Sequence, residues 1–213
     1  MSNALVIAGT DTDVGKTLVS AGLMLSLPHA LYWKPVQAGT EPLTDTEAVQ
    51  QLTHLGQERF LPEAYRLATP ASPHLAARLD ETEVAAEMLA LPQVTAPLIV
   101  ESAGGVMVPL NDHLLNLDMF ARWGAPVILV ARTALGTINH SLLSIAALRA
   151  RDIPIGGILF SGEAHEENER IIPALSGVRS LGRLPRLERI DAAGLHLAMQ
   201  AHVDIAAIEA LLA

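Results

Sequence analysis

Cysteine is missing altogether from the 213 residues, so disulfides, thiolate metal sites and cysteine nucleophiles are all excluded. The absence suits a reducing compartment. Basic side chains are scarce: 14 Lys and Arg stand against 23 Asp and Glu, a formal charge of −9. A protein that tracks nucleic-acid phosphates carries a basic stripe. No such cluster occurs here, so nucleic acid is not an expected partner. Only Arg179, Arg183, Arg186 and Arg189 gather, and they read as a solvated face or as a rim near a nucleotide. Aromatic residues make up 3%, with Ala and Leu abundant, a bias that reflects base composition as much as function. Apolar runs stop at Gly, Pro or charge well short of the ~18 residues of a membrane span. The start, Met1-Ser2-Asn3-Ala4, lacks the basic flank and apolar run of a signal peptide. A cytoplasmic chain with no membrane partner is expected. No repeat, low-complexity stretch or linker interrupts it, and half of its residues are hydrophobic. Residues 1–213 are therefore expected to form a single domain, close to the usual size of about 100–200 residues.

Apolar, β-branched runs alternate with helical patterns along the chain. Strands are expected at residues 4–8, 30–33, 97–101, 126–131, 154–160 and 178–184. Helices are expected at 17–27, 44–55, 73–79, 82–91, 116–123, 137–151, 166–175 and 203–212. Strands that are apolar throughout are those covered on both faces. Their alternation with helices predicts βαβ units, hence an α/β fold of three layers around a mostly parallel central sheet. Ligands on such sheets bind beyond the carboxyl ends of the strands. The loops after Ala8, Trp33, Val100 and Ala131 then share one functional edge.

The segment Gly9-Thr10-Asp11-Thr12-Asp13-Val14-Gly15-Lys16-Thr17 follows the first strand and opens the first helix, the place of a P-loop. Backbone N–H groups of the turn and the helix start present positive partial charge to phosphates. Lys16 can reach the β- and γ-phosphates, and the Thr17 hydroxyl can ligate Mg²⁺. The common pattern has Gly four residues before Gly-Lys; here that residue is Thr10, and Gly9 comes one position early. The plain alternative is a helix start preceded by a polar turn. The motif says nucleoside triphosphate and magnesium, and names no reaction.

Further candidates lie on the same edge. Lys34 follows the second strand and suits a site where negative charge accumulates beyond the γ-phosphate; a surface lysine at a strand end is the bland reading. Glu101 ends its strand ahead of Ser102-Ala103-Gly104-Gly105, where a carboxylate can hold Mg²⁺ and small residues let backbone approach a ligand. Asp45, at a helix start, is either a second Mg²⁺ ligand or an acid favoured by the helix dipole. Ser72-Pro73-His74 reads as a helix start with Pro at its first position. Gly136-Thr137-Ile138-Asn139-His140 opens a helix whose free N–H groups suit a carboxylate, or is simply a helix start.

Taken in order over nearly the whole chain, these segments resemble dethiobiotin synthetases: the loop from Gly9 to Thr17, Lys34-Pro35-Val36, Ser72-Pro73-His74, Glu101 to Gly105, Val127-Ile128-Leu129-Val130, and Gly136 to His140. The early Gly and the Thr-Asp-Thr run are that family's own form of the loop. The resemblance implies a ligase that closes 7,8-diaminononanoate with CO₂ (or bicarbonate) into the ureido ring of dethiobiotin, converting ATP to ADP and phosphate. It implies a carbamate intermediate and then a carbamic-phosphoric anhydride, and Mg²⁺ held by Thr17, Asp45 and Glu101. Lys16, Lys34 and Asp13 would take catalytic roles. The nucleotide would contact residues 12–17 (Thr12, Asp13, Val14, Gly15, Lys16, Thr17), Ser161, Leu184, Pro185 and Arg186. The substrate would meet Lys34, Ala38, Ser72, Glu101, Ala103, Gly104 and Gly105. The helix start at Thr137, Ile138 and Asn139 would bind the substrate's carboxylate from the partner subunit of a homodimer.

Three positions depart from the family pattern. Ala38 stands where a hydroxyl residue is usual, Ser102 replaces Gly, and Ser161 replaces an Asn that reads the adenine edge. A site lacking that amide discriminates bases less well, so a loose nucleotide preference is expected. Three rival readings meet the same residues. A partner-regulated partition-type ATPase carries a second lysine inside its loop, whereas this loop holds Asp11 and Asp13. An amide ligase of cofactor synthesis adds a glutamine-hydrolysing domain with a nucleophilic cysteine. A catalytically degenerate nucleotide-binding paralogue has lost functional side chains, whereas Lys16, Thr17, Lys34, Asp45 and Glu101 are all present.

Overall fold

A computed structural model describes residues 3–212. Its frame is a seven-stranded sheet in the order β11-β10-β9-β1-β6-β2-β4, with parallel pairing throughout. The strands are β1 (Ala4–Gly9), β2 (Leu31–Trp33), β4 (Phe60–Leu61), β6 (Leu98–Gly105), β9 (Val127–Arg132), β10 (Ile155–Ser161) and β11 (Ser180–Leu184). Two short side sheets pair β3 (Val36–Ala38) with β5 (Tyr65–Leu67), and β7 (Pro109–Asn111) with β8 (Leu114–Leu115).

Side chains alternate across a strand, and β1 is buried on both faces. Leu5 and Ile7 enter one hydrophobic layer, while Ala4, Val6 and Ala8 enter the other. The first layer is closed by Val19 and Leu23 of α1 (Lys16–Ser26), Val49 of α2 (Asp45–Thr53), Leu195 and Met199 of α7 (Ala192–His202), and Ile208 of α8 (Ile205–Glu209). The second is closed by Phe120 of α4 (Asn116–Trp123), Leu148 of α5 (Thr137–Arg149) and Ile172 of α6 (Glu166–Ser176). This is the three-layer α/β fold expected. A smaller apolar cluster joins the side sheets to α3 (Pro73–Leu79) through Val36, Leu67, Ala76, Leu110 and Leu114.

Register positions the chemistry. Ile7 pairs with Glu101 across β1 and β6, and Trp33 pairs with Val100 across β2 and β6. The residues that follow, Lys34 and the phosphate loop, therefore emerge beside Glu101.

Several sequence expectations need correction. The strand expected to end at Glu101 runs on to Gly105, where Asn116 Nδ2 donates to the Ala103 and Gly105 carbonyls on either side of Gly104, which takes φ 63°. The helix expected at 82–91 is only a 3₁₀ turn, Ala86–Leu89. Side chains engage the backbone ahead of it: the Ala85 N–H donates to the Tyr65 hydroxyl, and Asn111 Nδ2 donates to the Val84 carbonyl. The last helix is shorter than residues 203–212, since Val203 bridges to Gly182 and Asp204 caps α8. The helix α7 carries no expectation at all. Its sequence mixes Ala, Gly and Leu with His196, Gln200 and His202 without a helical stripe, and its start depends on the Asp191 side chain accepting from the Gly194 N–H.

α7 docks on α1 where Gly22 leaves room: a Cβ there would lie 2.6 Å from Met199 Cγ. Met199 is fully buried. Met199→Ala is expected to cost about 2–5 kcal/mol through lost transfer energy and a cavity. Denaturant unfolding should show this as a lowered midpoint with an unchanged slope.

Candidate active site

The phosphate loop turns on Gly15, which sits at φ 96° directly before α1. That left-handed conformation favours glycine, and a Cβ at Gly15 would also lie 2.6 Å from Ser161 Oγ. No side chain caps α1, so its first N–H groups face the loop unpaired, as an anion site requires. Asp13 adopts φ 56° in the same turn. Lys16 Nζ donates to the Asp11 carbonyl at 3.3 Å. Burial and the neighbouring Lys34 charge hold its ammonium below the ordinary lysine value.

Below the loop lies a compact polar cluster. Lys34 Nζ is 2.6 Å from Asp45 Oδ2 and 3.1 Å from Glu101 Oε1, and it also donates to the Ser102 carbonyl. Thr17 Oγ1 lies 3.0 Å from Asp45 Oδ1 and 2.9 Å from Glu101 Oε1. Glu101 and Lys34 are almost wholly buried. Burial by itself pushes the Lys34 ammonium down, but the charges of Glu101 and Asp45 more than offset this and raise it above its ordinary value. Asp45 shows the mirror effect. Burial raises it, and Lys34, Thr17 and Lys16 bring it net below its ordinary value of 3.8.

The donor set suits magnesium. An octahedral Mg²⁺ with bonds of about 2.0–2.1 Å keeps neighbouring ligand oxygens about 3 Å apart, and Thr17 Oγ1 stands at that separation from both carboxylates. Two carboxylates and a hydroxyl leave positions for water and phosphate oxygens, the usual company of this ion. Among the described residues no group of three or more acidic or histidine side chains forms a cage.

One cleft of about 840 Å³ opens over this cluster. Its lining includes twelve candidates from the sequence, Thr12, Asp13, Gly15, Lys16, Thr17, Lys34, Ala38, Asp45, Ser72, Glu101, Ala103 and Gly104, together with residues such as Gln37, Gly39 and Val108 that were not candidates. Val14 is instead buried in the first hydrophobic layer. Gly105 lies under the Thr10 backbone. Ser161 presses on Gly15 from the far side of the loop, and β11, ending at Leu184, pairs with β10 there. Pro185 is half-buried and Arg186 exposed just beyond it. Thr137, Ile138 and Asn139 do not line the cleft. Thr137 is buried and Asn139 exposed at the start of α5.

Three residues that sequence reasoning passed over hold the candidates in place. Asn116 fixes the end of β6, as described above. Gln37 Oε1 accepts from the Asp45 N–H at 3.0 Å, and its Nε2 donates to the Gly39 carbonyl at 2.8 Å. It thereby closes the 39–44 loop and, with the Thr44–Glu47 capping box, sets the start of α2. The Tyr32 hydroxyl donates to Glu101 Oε2 at 3.0 Å. Burial and the Glu101 charge push that phenol well above its ordinary value, so it stays a donor. The sequence signal was faint: Gln37 and Tyr32 lie within five residues of Lys34, in a stretch where only Lys-Pro-Val stood out.

The family described as AAA domain matches residues 3–193. ATP-dependent dethiobiotin synthetase BioD of Rhodopseudomonas palustris (strain TIE-1) is 56% identical over 201 residues, 94% of either chain. The protein of the same name from Brucella anthropi is 53% identical over 205 residues, 96% of either chain. The chain belongs to the dethiobiotin synthetase family. A third such synthetase, from Agrobacterium fabrum (strain C58), is 52% identical and covers 97% of either chain. Among solved structures, apo McdA of Cyanthece superposes with a TM-score of 0.62 over both full chains at 9% identity. MinD of Pyrococcus horikoshii complexed with Mg-ADP superposes with a TM-score of 0.52 at 15% identity, over 94% of this chain and 96% of its own. Likeness at such identity shows the fold alone. Dethiobiotin synthetase membership therefore rests on sequence relatives and leaves the partition-type ATPase reading with only the shared architecture.

The Asp45 carboxylate gives a pH test. The folded chain binds its proton less tightly than the unfolded chain, so its stabilisation is complete at neutral pH. That contribution fades as the pH falls through 3.8 and below, where the unfolded chain takes up the proton first. Asp45→Asn is expected to flatten the decline in stability below about pH 4. Denaturation midpoints across a pH series check it, and parallel declines in the two proteins would count against the pairing.

Proposed function

We propose that the chain catalyses the ATP-dependent formation of dethiobiotin from 7,8-diaminononanoate and CO₂, a step of biotin biosynthesis that forms C–N bonds. The observation that carries this reading is the meeting of Lys16, Lys34, Thr17, Asp45 and Glu101 under one phosphate loop, in a chain whose relatives bear that name. One amine of the substrate captures CO₂ and releases a proton, giving a carbamate. The carbamate oxygen attacks the γ-phosphate, ADP leaves, and a carbamic-phosphoric anhydride forms. The second amine attacks the carbonyl carbon, phosphate leaves, and the ring closes.

Carbamate and triphosphate repel each other, and two ammonium groups at one cleft oppose that repulsion. Lys16 serves the phosphates, and Lys34 serves the charge developing between the γ-phosphoryl group and the carbamate. Thr17, Asp45 and Glu101 hold Mg²⁺, which supplies charge neutralisation on the phosphate oxygens. Asp13 faces the diamine or a lysine ammonium. Ala38, Ser72 and the Ala103-Gly104-Gly105 backbone flank the substrate. Ser161, Leu184, Pro185 and Arg186 flank the base. Thr137, Ile138 and Asn139 bind the carboxylate of a substrate held mainly by a second copy, so the working unit is a homodimer. The exposed apolar residues Met107, Leu135 and Leu143 support such a contact. Each copy acts as a single ligase domain in the cytoplasm. Among the described residues no helix is long and apolar enough to cross a membrane.

Phosphate release from Mg-ATP is expected to require both diamine and bicarbonate, and to fall by about 100-fold or more in Lys34→Ala. Release indifferent to the diamine would instead mark a partner-regulated ATPase, and no release would mark a degenerate binder. Ser161 offers the base only a hydroxyl, so GTP or CTP is expected to support a sizeable fraction of the ATP rate. Side-by-side rates at saturating nucleotide test this, and strict ATP dependence would reject it.

A further inference from the structure

Glu101 presents its two oxygens to different surroundings. Oε1 faces the cleft, where it accepts from Thr17 and Lys34. Oε2 accepts from the buried Tyr32 hydroxyl at 3.0 Å. Tyr32 is fully buried on β2 and packs edge-on against Phe60, with ring centroids 6.0 Å apart. Nothing in the catalytic scheme uses this phenol, yet a buried hydroxyl with one charged partner is a strong orienting group. It fixes the Glu101 side chain so that one oxygen reaches the site and the other is occupied.

We propose that Tyr32 is a positioning residue that makes Glu101 a one-oxygen ligand and thereby selects Mg²⁺ over Ca²⁺. This rests on the metal role proposed above for Glu101. The physical basis is coordination habit. Mg²⁺ demands a near-ideal octahedron with short bonds, which single carboxylate oxygens supply. Ca²⁺ accepts more ligands at longer distances and readily takes both oxygens of one carboxylate. With Oε2 held by the phenol, the second option is closed. Outer partners of this kind typically carry 10–100-fold in metal affinity.

The test measures Mg²⁺ and Ca²⁺ affinity by calorimetry in the presence of a non-hydrolysable ATP analogue. Tyr32→Phe, which keeps the ring, is expected to lower Mg²⁺ affinity about 10-fold while Ca²⁺ affinity falls less, so the Mg²⁺:Ca²⁺ ratio narrows. The KM for the diamine should hold steady. Equal losses for both ions, or no loss for either, would overturn the proposal. Phe60→Leu disturbs the ring's packing but keeps its hydroxyl, and should leave the ratio unchanged; a narrowed ratio there would assign the effect to packing. Glu101→Gln separates the two levels. If it leaves metal affinity intact, the metal role of Glu101 itself fails. If it weakens metal while Tyr32→Phe does not, only the positioning role fails. A second readout leaves Tyr32 intact. The chain has two tyrosines, and the other, Tyr65, accepts from the Ala85 N–H, outside the cluster. In Tyr65→Phe labelled with ¹³Cζ-tyrosine, the single remaining resonance should shift when Mg²⁺ and nucleotide bind, and a static resonance would refute the coupling.

Discussion

A buried ammonium group between two carboxylates governs the architecture of this site. Lys34 lies within 3.1 Å of both Asp45 and Glu101 in a place nearly closed to water. Left unpaired, the Lys34 or the Glu101 charge would be costly at that depth. Together they hold one another, and they draw three separate elements to one point: β2 through Lys34, α2 through Asp45 and β6 through Glu101. Thr17 at the start of α1 closes the cluster from the side of the phosphate loop. The same arrangement places two carboxylates, a hydroxyl and an ammonium group beside the phosphate loop. Stability and chemistry therefore draw on one set of contacts, and the surrounding amides and hydroxyls of Gln37, Asn116 and Tyr32 keep that set aligned.

The main frame was legible in the sequence because its signals are local. The runs at 4–8, 97–100 and 126–131 are apolar without alternation, as strands covered on both faces must be. Gly15-Lys16-Thr17 sits at a strand-to-helix junction that few other structures would require. The short strands were not legible. β3, β4, β5, β7 and β8 span two or three residues each and exist because distant partners pair with them. The turn at Ala86–Leu89 and the helix α7 depend likewise on contacts from Tyr65, Asn111, Asp191 and Gly22, which no window of sequence brings together.

The candidate site divides along the same line. Lys16 heads α1, Lys34 follows β2, and Glu101 lies within β6 opposite the end of β1, so their place at one edge follows from topology and register. Asp45 sits at a helix start seven residues beyond β3, where the dipole reading and the metal reading were evenly matched on sequence. The conformation of the loop before it decides where its carboxylate points, and Gln37 fixes that loop. Tyr32 and Asn116 were invisible because their work is done by a hydroxyl and an amide aimed at groups about 70 and 11–13 residues away.

The position of β1 carries a consequence for how the molecule is made. The strand that leads into the phosphate loop precedes both of its sheet neighbours in the chain, yet it lies between β6 and β9 and pairs with both. Its second neighbour begins only at Val127. Until β9 has been synthesised, β1 has no completed seat, and its apolar residues wait exposed or transiently sheltered. Such non-local pairing slows folding and prolongs exposure to aggregation. A strand made before both of its neighbours is thus among the last to acquire its working shape during translation.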